Sequence, residues 1–133
     1  MKLVRYHWQL DVYRQAVEAA MQIFELTKSF PSEERFSLTD QVRRSSRSVS
    51  AQIAEAWRRR KYEAVFVNKL NESEGEGAET QGWLEYAVKC GYLNRNSGRD
   101  LHKQYDHIIG KLVNMGNDPK PWILNKSRPA PKS

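Results

Sequence analysis

Apolar and small residues recur every three or four positions through most of the chain, and this periodicity is what most limits its fold. In a helix of 3.6 residues per turn, such spacing places the side chains on one face. Four stretches show the pattern, which predicts helices over about 9–29, 39–60, 62–90 and 97–115. Their short connections favour an all-α fold, an antiparallel up-down-up-down four-helix bundle.

Local signals mark the ends of the helices and of the domain. Thr39 and Ser97 are typical N-cap residues for the second and fourth helices. We expect one bundle domain over residues 1–116. The basic, proline-containing tail over 117–133 is expected to be extended or disordered, with its apolar segment 122–124 docked on the bundle or on a neighbour.

Small residues at core positions suggest closely packed helices. Serines of the second helix lower its helix propensity but allow another helix to approach. Each of three glycines in the third helix costs about 1 kcal/mol relative to alanine, and we attribute that cost to tight packing. The glycines are Gly75, Gly77 and Gly82.

Length and composition exclude several classes of protein. The 133 residues fit one domain, and Cys90 has no partner for an internal disulfide, so we expect it to be buried as a small apolar side chain. No run approaches the roughly 18 apolar residues of a membrane span. Residues 1–8 lack the apolar core of a secretory signal, so we expect a cytoplasmic protein without membrane contact.

The positive charge is concentrated in one part of the chain. Residues 43–61 carry seven cations and one acid, a net charge of +6 that equals the net charge of the whole protein. On a helical wheel the arginines fall opposite the core positions. Such a basic face can contact the phosphates of RNA or DNA, although a solvated outer face looks similar. The candidate nucleic-acid-binding residues are Arg43, Arg44, Arg47, Arg58, Arg59, Arg60 and Lys61.

A second interpretation of the same face is a contact between subunits. Small residues lie among the arginines and leave room for a neighbouring helix, while tryptophan is enriched at interface hot spots. The acidic third helix offers partners for arginines in a head-to-tail ring. The candidate interface residues are Ser50, Ala51, Ala54, Trp57, Glu72, Glu76 and Glu79.

The search for catalytic chemistry is negative. No glutamate has a histidine three residues later, and His102 and His107 are five apart, which does not place them on one helix face. The glycine pair at 75 and 77 follows no strand and is flanked by glutamates that repel phosphate. We therefore expect no catalytic residues, no metal, no cofactor and no enzymatic activity.

The segment from Gln41 to Ala56 resembles the signature of a known family of four-helix bundles. Its sequence QVRRSSRSVSAQIAEA is similar to the pattern Q-[IV]-R-R-[AS]-x-x-S-[IV]-x-x-[NQ]-I-A-E-[GA] of proteins encoded in 23S rRNA intervening sequences, also called S23 proteins. One further match begins at Leu10, and another runs from Glu79 to Leu93. The similarity covers roughly residues 8–115.

The resemblance implies a small bacterial bundle that assembles as a ring-like homopentamer. Some relatives are accessory proteins of diversity-generating retroelements, in which a basic pentamer works with a reverse transcriptase and nucleic acid. Two interpretations of the basic face stay open at this point. One is a non-enzymatic oligomer that binds RNA or DNA, and the other is a homo-oligomeric scaffold whose arginine and glutamate faces form subunit contacts.

Overall fold

The structure is a computed structural model that describes residues 3–124, and it contains four α-helices. The helices are α1 (Asp11–Thr27), α2 (Leu38–Arg58), α3 (Glu63–Lys89) and α4 (Arg95–Asn117). Short 3-10 helices over His7–Gln9 and Ser32–Glu34 precede α1 and α2. The described residues contain no strand, so the all-α prediction is confirmed. The predicted tail lies mostly outside this range, from residue 125 onward.

Hydrogen bonds between α2 and α3 show that the two helices are antiparallel. Ser73 Oγ donates to Val49 O at 2.8 Å, and Thr80 Oγ1 donates to Ser45 Oγ at 2.8 Å. Later positions on α3 therefore meet earlier positions on α2. Buried hydroxyl groups require such partners, and Ser73 and Thr80 find theirs across the helix pair.

The remaining contacts close the bundle in the predicted up-down-up-down order. Gln81 of α3 donates to Asp106 of α4 at 2.9 Å. The side-chain amides of Gln22 in α1 and Gln104 in α4 hydrogen-bond to each other. Within the described residues the backbone of α2 runs close to those of α1 and α3 but not to that of α4, so α2 and α4 lie diagonally across the bundle.

The apolar faces of all four helices meet in one core, as their periodicity predicts. The side chains that are almost fully buried come from every helix and are aliphatic, aromatic or small. They include Ile23, Val42, Val49, Ile53, Phe66, Leu70, Leu101, Tyr105, Ile108 and Leu112. Burial of this apolar surface is the main force that holds the helices together.

The glycines divide into those that touch a neighbouring helix and those that do not. A Cβ on Gly77 would lie 3.0 Å from Ile109 Cγ1, so tight packing explains this glycine. Gly75 and Gly82 have nothing within 4 Å of such a Cβ, and the packing explanation is wrong for them. Gly98 of α4 makes the closest approach of all, although sequence patterning gave it no special role.

Two predicted N-caps and the environment of the cysteine differ from the expectation. The N-cap position of α2 is Ser37, whose side chain makes no capping hydrogen bond, and Thr39 is buried in the first turn of the helix. α4 is capped by Asn94, whose side chain accepts from the backbone N–H of Ser97 at 2.8 Å. Another capping residue lay within three positions in each case. Cys90 is exposed because it lies just beyond the last turn of α3.

Gly98→Ala should destabilise the protein by about 1–3 kcal/mol, because the new Cβ would lie 2.5 Å from Val88 Cγ2 and would force α3 and α4 apart. Gly110→Ala on the same helix is the matched control. It meets no atom within 4 Å and should stabilise by up to about 1 kcal/mol. Urea denaturation of both variants measures the difference, and equal effects would contradict this account of α3–α4 packing.

A hydrogen bond from Tyr92 to Glu34 joins the α3–α4 connection to the segment before α2 and makes stability depend on pH. The Tyr92 hydroxyl donates to Glu34 Oε2 at 2.9 Å, and this bond raises the pKa of Tyr92 from 10 to about 12. Because the pKa of Tyr92 is higher in the folded protein than in the unfolded chain, its protonated hydroxyl stabilises the fold below pH 10. This contribution to stability is lost as the pH rises from 10 to 12. Wild-type protein should therefore lose more stability over that range than Tyr92→Phe in urea denaturation. Tyr86→Phe, at an exposed tyrosine, should match the wild-type profile.

Candidate nucleic-acid interface

The basic residues of α2 form two groups rather than one continuous surface. Arg43 lies against the C-terminal part of α1, where it contacts Thr27. Arg58 and the cations after it lie at the other end of the bundle, next to the N-terminal segment. At 1.5 Å per residue, about 22 Å of helix separates Arg43 from Arg58. The seven predicted binding residues are thus brought together only in part.

The first group lines a groove of about 570 Å³, here called the arginine groove. It holds four arginines and a single acid, so its electrostatic potential favours an anion. Its lining residues are Arg35, Phe36, Thr39, Asp40, Arg43, Arg44, Arg47, Ser48 and Ala51. Sequence reasoning missed Arg35 and Phe36, which precede α2 and have no place in its helical pattern.

Arg43 is engaged within its own subunit. Its Nε donates to Thr27 Oγ1 at 2.8 Å, and its guanidinium lies 4.9 Å from the centre of the Phe24 ring. These contacts tie α2 to α1. By contrast, the exposed side chains of Arg44 and Arg47 make no hydrogen bond or salt bridge to any residue between 3 and 124. Arg44 and Arg47 are therefore the α2 cations of the groove that remain available to a ligand.

The second group contains one structural residue and three exposed ones. Arg60 Nε donates to Trp57 O at 2.8 Å, and its guanidinium covers the Trp57 ring at 3.6 Å. Burial lowers the pKa of Arg60, and the nearby charge of Arg58 lowers it further. Arg58, Arg59 and Lys61 are exposed to solvent. The side chain of Arg60 thus stabilises this end of the bundle, while Arg58, Arg59 and Lys61 expose their charges to solvent.

The structure corrects the prediction that Trp57 is an exposed residue at a subunit interface. It is only 4% exposed, and its Nε1 donates to Arg5 O at 2.9 Å. Its ring packs edge-on against Trp122 at 6.3 Å between centroids. Leu124 N also donates to Arg60 O at 3.3 Å, so the described part of segment 122–124 docks on the bundle. Trp57 is covered by both chain ends, which the periodicity of α2 alone does not reveal.

The small residues of α2 lie where the sequence places them. Ser50 and Ala54 are half-buried, and Ala51 is exposed, between the two arginine groups. This stretch of the outer surface carries no large side chain over more than one helical turn. A neighbouring helix can approach it closely, as an interface would require.

Two of the predicted interface acids of α3, Glu72 and Glu79, have partners among the described residues. Lys69 Nζ lies 3.3 Å from Glu72 and 3.1 Å from Glu55. Glu79 accepts from Trp83 Nε1 at 3.2 Å. Surface pairs of this kind are weak, and they leave the carboxylates accessible to a second molecule.

Glu76 lies close to the groove, and its pKa responds to its surroundings. Burial raises the pKa of Glu76, the charge of Glu79 raises it further, and Arg44 opposes both effects. Arg44 and Glu76 therefore interact across the α2–α3 pair. An electrostatic link between the arginine groove and the acidic helix exists within one subunit.

The described residues provide no assembled metal site or membrane span. Between residues 3 and 124 no three His, Cys, Asp or Glu side chains are grouped so that they could hold a metal ion. His102 makes a 3.6 Å contact with Asp106, one turn along α4. None of the described helices is long and apolar enough to cross a bilayer.

Comparison with known proteins supports the resemblance carried by α2. The chain is similar to a crystallised protein of unknown function from the S23 ribosomal protein family of Bacteroides thetaiotaomicron VPI-5482. The two share 30% sequence identity and a TM-score of 0.72 over 80% of this chain and 95% of the other. No curated protein matches the chain. The family model for the 23S rRNA-intervening sequence protein matches residues 8–114, and the chain therefore belongs to this family.

Proposed function

We propose that the protein is a non-enzymatic, homo-oligomeric binding protein of the cytoplasm that contacts RNA or DNA through the arginine groove. The observation that carries the proposal is the composition of that groove, which has four arginines and one acid. Two of its arginines, Arg44 and Arg47, have no hydrogen-bonding partner among the described residues. Arginine binds phosphate oxygens through two parallel N–H groups, so such a surface suits a nucleic-acid backbone.

The second group of cations extends the proposed contact. Arg58, Arg59 and Lys61 are exposed at and just beyond the C-terminal end of α2, and about 16 Å of helix separates Arg58 from Arg47 of the groove. A nucleic acid that follows the outer surface of α2 would meet both groups. Contacts of this type carry no sequence information, because phosphates are the same along the strand.

Reversing the two available groove charges should separate binding from folding. Arg44→Glu with Arg47→Glu should weaken binding to mixed-sequence RNA or DNA at least about tenfold at low salt and reduce the salt dependence. Arg43 is left intact because its bond to Thr27 holds α1 against α2. The readout is fluorescence anisotropy across a salt series, with circular dichroism as the check on folding.

A matched control removes the same charge elsewhere. Arg95→Glu with Arg99→Glu changes two exposed arginines of α4, the helix diagonal to α2. This control should bind nearly as well as wild type. Equal losses from the two pairs would show that net charge, and not the groove, governs binding. An absence of wild-type binding at low salt would refute the proposed function.

A scaffold without nucleic-acid binding is the second candidate, and the small residues of α2 favour it. Ser50, Ala51 and Ala54 leave space on the outer surface for a helix of a neighbouring subunit. Arginines on both sides of this space would then meet acids of that subunit, as in a head-to-tail ring. In this case the charge of α2 would serve assembly, and the pentamer implied by the family resemblance would be its product.

A bulky side chain at the centre of this surface tests for assembly. Ala51→Trp should lower the mass in solution toward that of the 15.5 kDa chain, since the indole would hold a neighbouring helix away. Ala78→Trp, at another exposed alanine on α3, should leave the mass unchanged. Light scattering without nucleic acid gives the answer. An unchanged mass for both variants would place the subunit contact elsewhere.

A further inference from the structure

Phe36 is the most exposed large apolar side chain of the described residues. It is 85% exposed, whereas Phe66 and Phe30 are buried and Phe24 is half-buried. A phenylalanine left in water forgoes the favourable transfer of its ring into the core. Its exposure is therefore unexplained by the stability of the bundle.

The position of Phe36 joins it to the arginines. It lines the arginine groove, and the guanidinium of Arg35 lies 5.3 Å from the centre of its ring. Arg44 and Arg47 line the same groove and retain their donors for a ligand. An aromatic face and several phosphate-binding cations thus share one groove of about 570 Å³.

We propose that this groove takes single-stranded nucleic acid, with one base stacked on Phe36 and the adjoining phosphates on Arg44 and Arg47. The inference rests on the proposed function and names its ligand class. In a duplex both faces of every internal base are already stacked, so an exposed phenylalanine gains a base face only where base pairs are unstacked, at a cost of about a few kcal/mol per step. A single strand presents free base faces, and aromatic stacking with cationic contacts to the backbone is how proteins hold such strands.

A second copy of the chain fits the groove less well. The acids of α3 would be its natural contribution, and Glu72 and Glu79 would only have to exchange weak contacts in their own subunit for contacts with the arginines, but such acids would leave the ring of Phe36 uncovered. A carboxylate also gains nothing from the negative face of a phenylalanine ring. A nucleotide complements both groups, because its base stacks on the ring and its phosphate binds the arginines.

The experiment compares Phe36 variants on three labelled probes of one mixed sequence and about 12 nucleotides: single-stranded RNA, single-stranded DNA and the DNA duplex. Phe36→Ala should weaken single-strand binding about 5- to 150-fold and leave duplex binding nearly unchanged. Phe36→Trp should retain binding, because it keeps a stacking surface. Phe36→Leu should behave like the alanine variant, because it is apolar but not planar. Tyr86→Ala, which removes a 58% exposed aromatic ring from α3, is the control and should bind as wild type does.

The outcomes separate this inference from the function on which it rests. If Phe36→Ala binds single strands normally while Arg44→Glu with Arg47→Glu does not, the inference is wrong and the proposed function stands. Equal losses on duplex and single strand would also overturn it. If wild-type protein binds none of the probes at low salt, the proposed function itself fails. A Phe36→Ala variant of lower mass in light scattering would make the ring a subunit contact and overturn the inference.

Discussion

The arrangement of the protein depends on the close contact between α2 and α3. Small and hydroxyl residues line this contact, and the hydroxyl groups of Ser73 and Thr80 bond across it to Val49 and Ser45. Larger side chains would hold the helices apart, while unpaired hydroxyl groups would be costly to bury. The contact therefore fixes the rotation of α2 about its own axis. With that rotation set, the opposite side of α2, which bears the arginines, must face away from the core.

The cations on that outer side do two kinds of work. Arg43 and Arg60 use their N–H donors and their flat guanidinium faces in contacts inside the subunit. Arg43 contacts Thr27, and Arg60 contacts Trp57. The side chains of Arg44 and Arg47 make no hydrogen bond or salt bridge between residues 3 and 124, although the Arg47 guanidinium also lies 5.9 Å from the centre of the Phe24 ring. A count of positive charges treats all of these side chains alike. Only the three-dimensional contacts separate the arginines that stabilise the bundle from those that are free to bind a ligand.

Helical periodicity was enough to predict the four helices and their order, because one buried face per helix repeats at a fixed spacing. Features set by other parts of the chain were not predictable in this way. Trp57 fits the apolar rhythm of α2, but its burial is completed by contacts with Arg5 and Trp122, which lie before α1 and after α4 and which helical spacing does not bring near it. Gly98 is close to Val88 only because of the way α4 lies on α3. Phe36 lies outside every periodic segment, so no pattern indicates that its ring stays exposed beside four arginines.

Assembly and nucleic-acid binding, the two properties in the proposed function, would support each other physically. The arginine groove offers a single strand three cations, Arg35, Arg44 and Arg47, whose side chains make no hydrogen bond to a described residue. Part of the charge of Arg44 is offset by Glu76. Release of counterions from three contacts gives a salt slope of only about 2, which corresponds to weak binding by one subunit. A closed ring presents the same groove once per subunit, and a strand held in one groove meets the next at a high effective concentration. Assembly through the small residues of α2 would thus convert weak binding by one groove into tighter binding by several grooves. In such an assembly, oligomerisation and nucleic-acid binding would be two parts of one activity.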